Sequence, residues 1–223
     1  SMMGDLAKLP EMAKLCRQYG ARLLVDDAHA FGVIGERGAG TADHFGLDDE
    51  TDLIMGTFSK SLAGIGGFCT GPKVVMDYIQ HQARSMMFSA SIPPAVCAAA
   101  LKALDLIEQE PERRMTVRGL ANRARAGLQD RGFHTGDSES PIVPVIIGAR
   151  EKTFRLWQIL LDEGVFVNPV TTPAVPAGMD LLRCSFMATH SEDQIDRFLD
   201  AFERAGARLE RALVKRADDD APL

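Results

Sequence analysis

The sequence lacks any unbroken apolar run near the ~20 residues that a membrane-crossing helix needs. It also lacks a surplus of basic charge: 25 Lys and Arg stand against 31 Asp and Glu, a formal net charge of -6. That balance argues against a nucleic-acid partner, which calls for a basic face. Cysteine is scarce. Cys16, Cys69, Cys97 and Cys184 form no Cys-x-x-Cys pair and have no His at metal spacing, so they read as reduced, mostly buried residues of an intracellular, cytoplasmic protein. There is no internal repeat. The opening Ser1-Met2-Met3-Gly4-Asp5 has neither the basic nor the apolar region of a signal peptide. It does not look like a natural translation start, so the chain reads as a piece with an upstream part missing. What is present is ordinary: 46% hydrophobic and 25% charged over 223 residues. Such a composition excludes a disordered tail and suits one large domain or two small ones.

Residues 5–19 place Leu6, Leu9, Met12, Leu15 and Cys16 at helical spacing, and Gly20 supplies a stop. The apolar run 21–25 then ends in Asp26-Asp27-Ala28-His29. A helix, a glycine and a buried strand make the rhythm of a parallel α/β sheet, whose ligands sit at the carboxyl ends of strands. A Gly-rich loop over 31–40 follows, then a second strand over 52–58 that ends at Ser59-Lys60. Gly64, Gly66 and Gly67 allow a tight turn. Helices are predicted over 72–84, 95–109 and 111–131, and again over 151–163. Strands are predicted over 142–147, 165–167 and 181–186, with an irregular Pro/Thr-rich stretch over 168–178 between the last two. Ser191 caps a final helix whose first turn carries Glu192 and Asp193. Residues 217–223 read as a frayed tail. The change in character near Gly119 divides the chain into 1–118 and a smaller αβ domain over 119–223.

Two clusters carry chemistry. Lys60 follows an apolar strand among hydroxyls and glycines, in Gly56-Thr57-Phe58-Ser59-Lys60-Ser61. A lysine in sequence is usually a solvated surface residue. One that is partly desolvated loses its proton more readily and can form a Schiff base with an aldehyde. Thr57, Ser59 and Ser61 are donors suited to phosphate. Pyridoxal phosphate needs both an amine and phosphate donors. Asp26-Asp27-Ala28-His29 alone reads as a strand end with a solvated acid and a hydrogen-bonded histidine. Beside Lys60 it reads differently, because a carboxylate keeps a pyridine nitrogen protonated and the charged ring then accepts electrons from a carbanion.

The motifs Asp26-Asp27-Ala28-His29-Ala30-Phe31-Gly32 and 56–61, with their spacing, resemble the α-oxoamine synthases. These are pyridoxal-phosphate enzymes of the aspartate-aminotransferase fold, fold type I. The resemblance runs from Ser1 to about Ala205. It implies that the first part is the later portion of a large α/β domain with a mainly parallel sheet, followed by a small C-terminal αβ domain. It implies that Asp26 pairs with the ring nitrogen, His29 contacts the ring oxygen and Lys60 holds the cofactor. It places Thr57, with Ser59 nearby, at the cofactor phosphate. Ser89 and Ala90, within Phe88-Ser89-Ala90-Ser91-Ile92-Pro93-Pro94, match a segment reaching the phosphate of a neighbouring subunit, which implies a homodimer with shared active sites. Read from the residues alone, Ser91 serves equally well as the N-cap of the helix that follows.

Arg183, in Leu181-Leu182-Arg183-Cys184-Ser185, matches the arginine that binds the amino-acid carboxylate, for which a planar guanidinium fork is suited. His190 reads as structural. The family's ring-stacking histidine would lie upstream of Ser1. Within the family, residues 161–168, 173–178 and 182–185 are most similar to bacterial serine palmitoyltransferases. The implied reaction is condensation of L-serine with a long-chain acyl-CoA, with loss of carbon dioxide, giving a 3-keto sphingoid base. A peripheral membrane contact is compatible with such a substrate. Two alternatives remain. One is a sibling enzyme that uses glycine or alanine, such as an 8-amino-7-oxononanoate synthase or a 2-amino-3-ketobutyrate CoA ligase. The other is a non-catalytic sensor or partner subunit.

Overall fold

A computed structural model describes residues 1–219, with side chains described through Glu210. The chain forms two compact units, Ala7–Arg114 and Met115–Leu223, and Ser1–Leu6 belongs with the second. The boundary expected at Gly119 falls inside a helix, α6, which spans Glu112–Asp130. Ser1–Leu6 joins the second unit because Glu139 and Ser140 N–H groups donate to the Gly4 carbonyl, at 3.1 and 3.0 Å. Gly4 has a φ of 72° there, and any Cβ would lie 2.1 Å from the Ile142 carbonyl oxygen.

In the first unit, helix α1 (Leu9–Tyr19) starts with Pro10 in its first turn and ends at a left-handed Gly20. Strand β1 (Leu24–Asp26) pairs in parallel with β2 (Leu53–Thr57), and β2 pairs antiparallel with β3 (Gly67–Thr70). The sheet was expected to be mainly parallel. In the described residues one of its two pairings is parallel, because the tight turn after Lys60 sends the chain straight back. Between the first two strands lie a short helix α2 (Thr41–Phe45) and a 3-10 turn at Asp48–Glu50, neither marked by an apolar period. Helices α3 (Lys73–Gln82), α4 (Arg84–Met87) and α5 (Pro94–Gln109) complete the unit. Its core is small: Leu9, Ala13, Leu23, Val25 and Ala42. Of the period seen in α1, Met12 and Leu15 face out, at 47% and 52% exposure.

In the second unit, β4 (Ile142–Gly148), β5 (Asn168–Val170) and β6 (Asp180–Ser185) form an antiparallel sheet in the order β4-β6-β5. Helix α6, helix α7 (Arg150–Asp162) and helix α8 (Glu192–Asp219) supply most of the remaining core. Val143, Val145, Leu182 and Cys184 point from the sheet into one cluster with Leu128, Leu156, Leu160, Phe198 and Phe202. The strand expected over 165–167 instead lies just beyond it, at Asn168–Val170. Ser191 and Gln194 cap α8 reciprocally: Gln194 N–H donates to the Ser191 hydroxyl at 3.2 Å, and Ser191 N–H to Gln194 Oε1 at 2.8 Å. The backbone of α8 continues through Asp219, so of the expected frayed tail residues 220–223 lie outside the described residues. The cysteines are free, but only Cys184 is buried, and Cys69 is exposed, which corrects the expectation that most are buried. Burial pushes the Cys184 thiol up, which keeps it inert. Among the described residues no helix is long and apolar enough to cross a membrane, and no group of His, Cys, Asp and Glu could hold a metal ion.

Phe202 is fully buried and meets Phe133 edge-on at 5.4 Å and Phe198 at 4.7 Å. Phe202→Ala should cost about 3–5 kcal/mol of stability. Guanidinium unfolding of the variant measures this, and a loss below about 1 kcal/mol would contradict the packing described.

Candidate active site

Strands β1 and β2 run in parallel with Asp26 opposite Met55, so their carboxyl ends open on the same edge. That is the ligand edge of an α/β sheet. Asp26 is the last residue of β1. Strand alternation then turns neighbouring acids in opposite directions. Asp26 is exposed, and its Oδ1 accepts the Ala28 N–H at 3.0 Å, an Asx turn that orients the carboxylate. Asp27 is only 1% exposed and takes two bonds from Thr41, the N–H at 2.8 Å and the hydroxyl at 2.5 Å. Desolvation raises the Asp27 carboxyl above its ordinary value; the Thr41 bonds oppose that rise and the Asp26 charge adds to it. His29 is half-buried and engaged with its surroundings. It sits in a turn closed by the Ala30 and Phe31 N–H groups, which donate to the Asp27 carbonyl at 3.0 and 2.9 Å.

Lys60 rides on a tight loop after β2. The Phe58 N–H donates to the Gly66 carbonyl at 2.9 Å, the Gly64 N–H to the Phe58 carbonyl at 2.6 Å and the Ala63 N–H to the Lys60 carbonyl at 3.0 Å. Closing the loop puts Ala63 at a φ of 50° and Gly66 at 92°, the left-handed region. Buried Leu62 anchors it, while Lys60 itself is exposed. The partial desolvation expected of Lys60 is therefore not supplied by this unit. Thr57 has one hydroxyl proton, and Oγ1 lies 3.0 Å from the Gly66 carbonyl that receives it. Ser59 Oγ lies 2.8 Å from Thr57 Oγ1, and the Ser59 N–H donates to it at 3.2 Å. A phosphate oxygen reached by Thr57 would take its proton from Gly66. Ser61 was expected among the phosphate donors, but it donates instead to the Phe31 carbonyl at 2.6 Å. Gly32 makes this approach possible, because a Cβ there would lie 2.7 Å from the Ser61 hydroxyl.

Other candidates lie elsewhere. Ser89 and Ala90 occupy an exposed segment between α4 and α5, where the Ser89 hydroxyl donates to the Ser85 carbonyl. Ser91 is not a cap, since α5 follows Pro93 with no side-chain capping bond. In the second unit, Arg183 lies in the central strand β6, opposite Pro144 and Asn168. Its Nε donates to the Ser1 carbonyl at 2.8 Å and its Nη1 to the Ser185 hydroxyl at 3.1 Å. Burial lowers its guanidinium from the ordinary value, yet arginine keeps its charge. His190 is structural, as expected. Its Nδ1 accepts the Met187 N–H at 3.2 Å, and its ring meets Phe186 edge-on. Arg114 went unnoticed in the sequence; it donates to the Glu36 carbonyl at 2.8 Å and the Ile107 carbonyl at 2.5 Å, with Gly38 packed on its stem. No sequence spacing marks such a long-range pair. Asp27 was not singled out either, although period-2 alternation after Val25 is the signal that places it inward.

The family model for aminotransferase class I and II matches residues 1–202. The chain is 53% identical over 210 residues to a serine palmitoyltransferase of Sphingobacterium spiritivorum, covering 94% of this chain and 53% of that protein. It is 42% identical over 211 residues to an 8-amino-7-oxononanoate synthase of Geotalea daltonii, covering 94% of this chain and 54% of that one. A solved structure of SPT described with a PLP internal aldimine matches with a TM-score of 0.90 at 37% identity, over 94% of this chain and 53% of that one. The chain thus spans about half the length of the relatives it matches. Parallel strands ending in Asp26 and Thr57, the Lys60 loop and these matches agree, and the chain belongs to the aminotransferase class I and II family, with the fold of type I pyridoxal-phosphate-dependent transferases.

Proposed function

We propose that the protein condenses L-serine with a long-chain acyl-CoA, with loss of carbon dioxide, to give a 3-keto sphingoid base, using pyridoxal phosphate. The observation that carries this reading is the pairing of two parallel strand ends, one bearing the exposed Asp26 carboxylate and the other leading to the exposed Lys60 amine. The donor set fits that cofactor: an amine for an aldehyde, a carboxylate for a basic ring nitrogen and neighbouring hydroxyls for a phosphate. The 53% identity to a serine palmitoyltransferase supports serine as the amino acid.

When bound, the cofactor supplies an aldehyde that captures amines and a protonated ring that accepts the electron pair of a carbanion. Lys60 Nζ would hold the cofactor and, once freed by the incoming amino acid, would accept the Cα proton. Asp26 would keep the ring nitrogen protonated, His29 would hydrogen-bond the ring oxygen, and Thr57 and Ser59 would bind the phosphate. Arg183 would bind the amino-acid carboxylate through its guanidinium, and its grip must loosen or reorient before carbon dioxide leaves. Ser89 and Ala90, on their exposed segment, serve the cofactor phosphate of a partner subunit in a homodimer. In this reading Ala7–Arg114 belongs to the cofactor-binding domain, and the unit that starts at Met115 and takes in Ser1–Leu6 is the small C-terminal domain.

Absorbance spectra of the complete protein with pyridoxal phosphate, titrated with L-serine, glycine and L-alanine, test the reading. A band from the lysine-bound cofactor that responds saturably to serine alone is expected. In Arg183→Lys the half-saturating serine concentration should rise about tenfold or more, as a charge-assisted bond is lost. A response to glycine or alanine instead would move the substrate to that of the sibling enzymes. No band at all would remove the enzyme reading in favour of a sensor or partner subunit.

A further inference from the structure

The two acids at the end of β1 have different fates, and only Asp26 is needed by the reaction above. Asp27 is the better connected of the pair. Its N–H donates to the Met55 carbonyl of β2 at 2.8 Å, and its carbonyl receives the two bonds that close the turn around His29. Its carboxylate reaches across 14 residues to the Thr41 N–H and hydroxyl. Thr41 begins α2, so these bonds close the neck of an Ω-shaped excursion over residues 28–40. Within it the Gly32 N–H donates to the Gly38 carbonyl at 2.8 Å and the Gly40 N–H to the Ile34 carbonyl at 3.0 Å. Ser61 pins one flank at Phe31, and Arg114 pins the other at Glu36.

Gly40 shows how tight the neck is. It has a φ of 109°, and a Cβ there would lie 2.1 Å from Asp27 Oδ2. Only glycine lets the carboxylate in. A buried carboxylate is costly unless donors satisfy it. Here it is held by two donors from a single residue, and it stands next to the acid expected to touch the cofactor ring.

We propose that Asp27 is a positioning residue: by bonding Thr41 beside Gly40 it closes the loop neck and fixes the directions of Asp26 and His29, and it does so by its shape rather than its charge. The inference rests on the reading of Asp26 and His29 as cofactor contacts. An asparagine can replace it, since its oxygen accepts the Thr41 N–H and its amide donates to the Thr41 hydroxyl. An alanine cannot reach Thr41 at all.

The test compares Asp27→Asn, Asp27→Ala and Thr41→Val in the complete protein. Two readouts use the cofactor-loaded form: the pH midpoint of the lysine-bound absorbance band, and kcat separately from KM. A third, amide hydrogen exchange over residues 28–31, uses the cofactor-free form. Asp27→Asn is expected to match the parent in all three. Asp27→Ala is expected to shift the band midpoint and lower kcat about 100-fold with KM little changed, as misplacement by an ångström does. Its exchange over 28–31 should quicken at least about tenfold, as the loop neck opens. Thr41→Val keeps the N–H bond and loses the hydroxyl bond. It should quicken exchange about fivefold, a single hydrogen bond's worth, and it stands in if the alanine variant fails to fold. Parent-like midpoint and exchange in Asp27→Ala or, failing that, in Thr41→Val would overturn the positioning role. Loss of activity in a folded Asp27→Asn would overturn the claim that shape suffices. If the parent itself shows no lysine-bound band, the functional reading falls, and the exchange arm still decides the role of Asp27.

Discussion

Lys60→Ala should lower turnover by at least about 10⁴-fold, the upper range for a general acid–base group. The size follows from two duties on one nitrogen. In the proposed reaction the side chain on the tight loop after β2 would be the covalent anchor for the cofactor, and later the base that takes the Cα proton. Alanine removes both, and no neighbouring amine is within the same loop to replace it: Thr57, Ser59 and Ser61 offer hydroxyls only. The loop itself should survive, because its fold rests on the backbone bonds among Phe58, Gly64 and Gly66 and on buried Leu62. The measurement is product formation by the complete protein alongside its absorbance spectrum. Near-parental kcat in a properly folded Lys60→Ala variant would sink the assignment.

Asp26→Asn should lower kcat by about 10- to 1,000-fold while the protein still binds the cofactor. A carboxylate within a few ångströms shifts the pKa of a charged partner by about one to three units, and each unit is a factor of ten in the equilibrium. The sign is fixed: a negative neighbour favours the protonated ring nitrogen, so its loss lets the proton leave at a lower pH. The band of the lysine-bound cofactor should report this directly, with its pH midpoint moved. Asparagine keeps the acceptor oxygen for the Ala28 N–H, so the local Asx turn stays and the charge alone is tested. Unchanged kcat with an unchanged midpoint would mean that Asp26 does not face the ring.

The strand ends were legible because apolar runs that stop at acids and a lysine, within an α/β rhythm, mark the ligand edge of a sheet. Asp26 and Lys60 do come to one edge of one sheet. The burial of Asp27 was also within reach, since strand alternation forces it inward, though its partner Thr41 could be located only in three dimensions. Ser61 looked like a phosphate donor by type, and its commitment to the Phe31 carbonyl depends on a contact across 30 residues. The strand placed at 165–167 drew on three apolar residues. The chain instead pairs one step later through Asn168 and Pro169, and Phe166 is left 74% exposed. Proline is tolerated there because β5 is an edge strand. Aliphatic content alone misplaced the strand because it cannot see sheet register.

The long helix α8 meets the rest of the second unit through a ladder of surface ion pairs. Arg123 of α6 bonds Glu192 and Asp196, Arg131 meets Asp200 and Glu203, and Arg204 and Arg208 converge on Glu163. Each such pair contributes little in water, about 0–1 kcal/mol, and fades as ionic strength rises. The grip on α8 therefore resides in its apolar stripe, with Ile195, Phe198, Leu199 and Phe202 buried. A helix secured in this way is expected to keep its place as ionic strength rises, when the exposed ion pairs are screened.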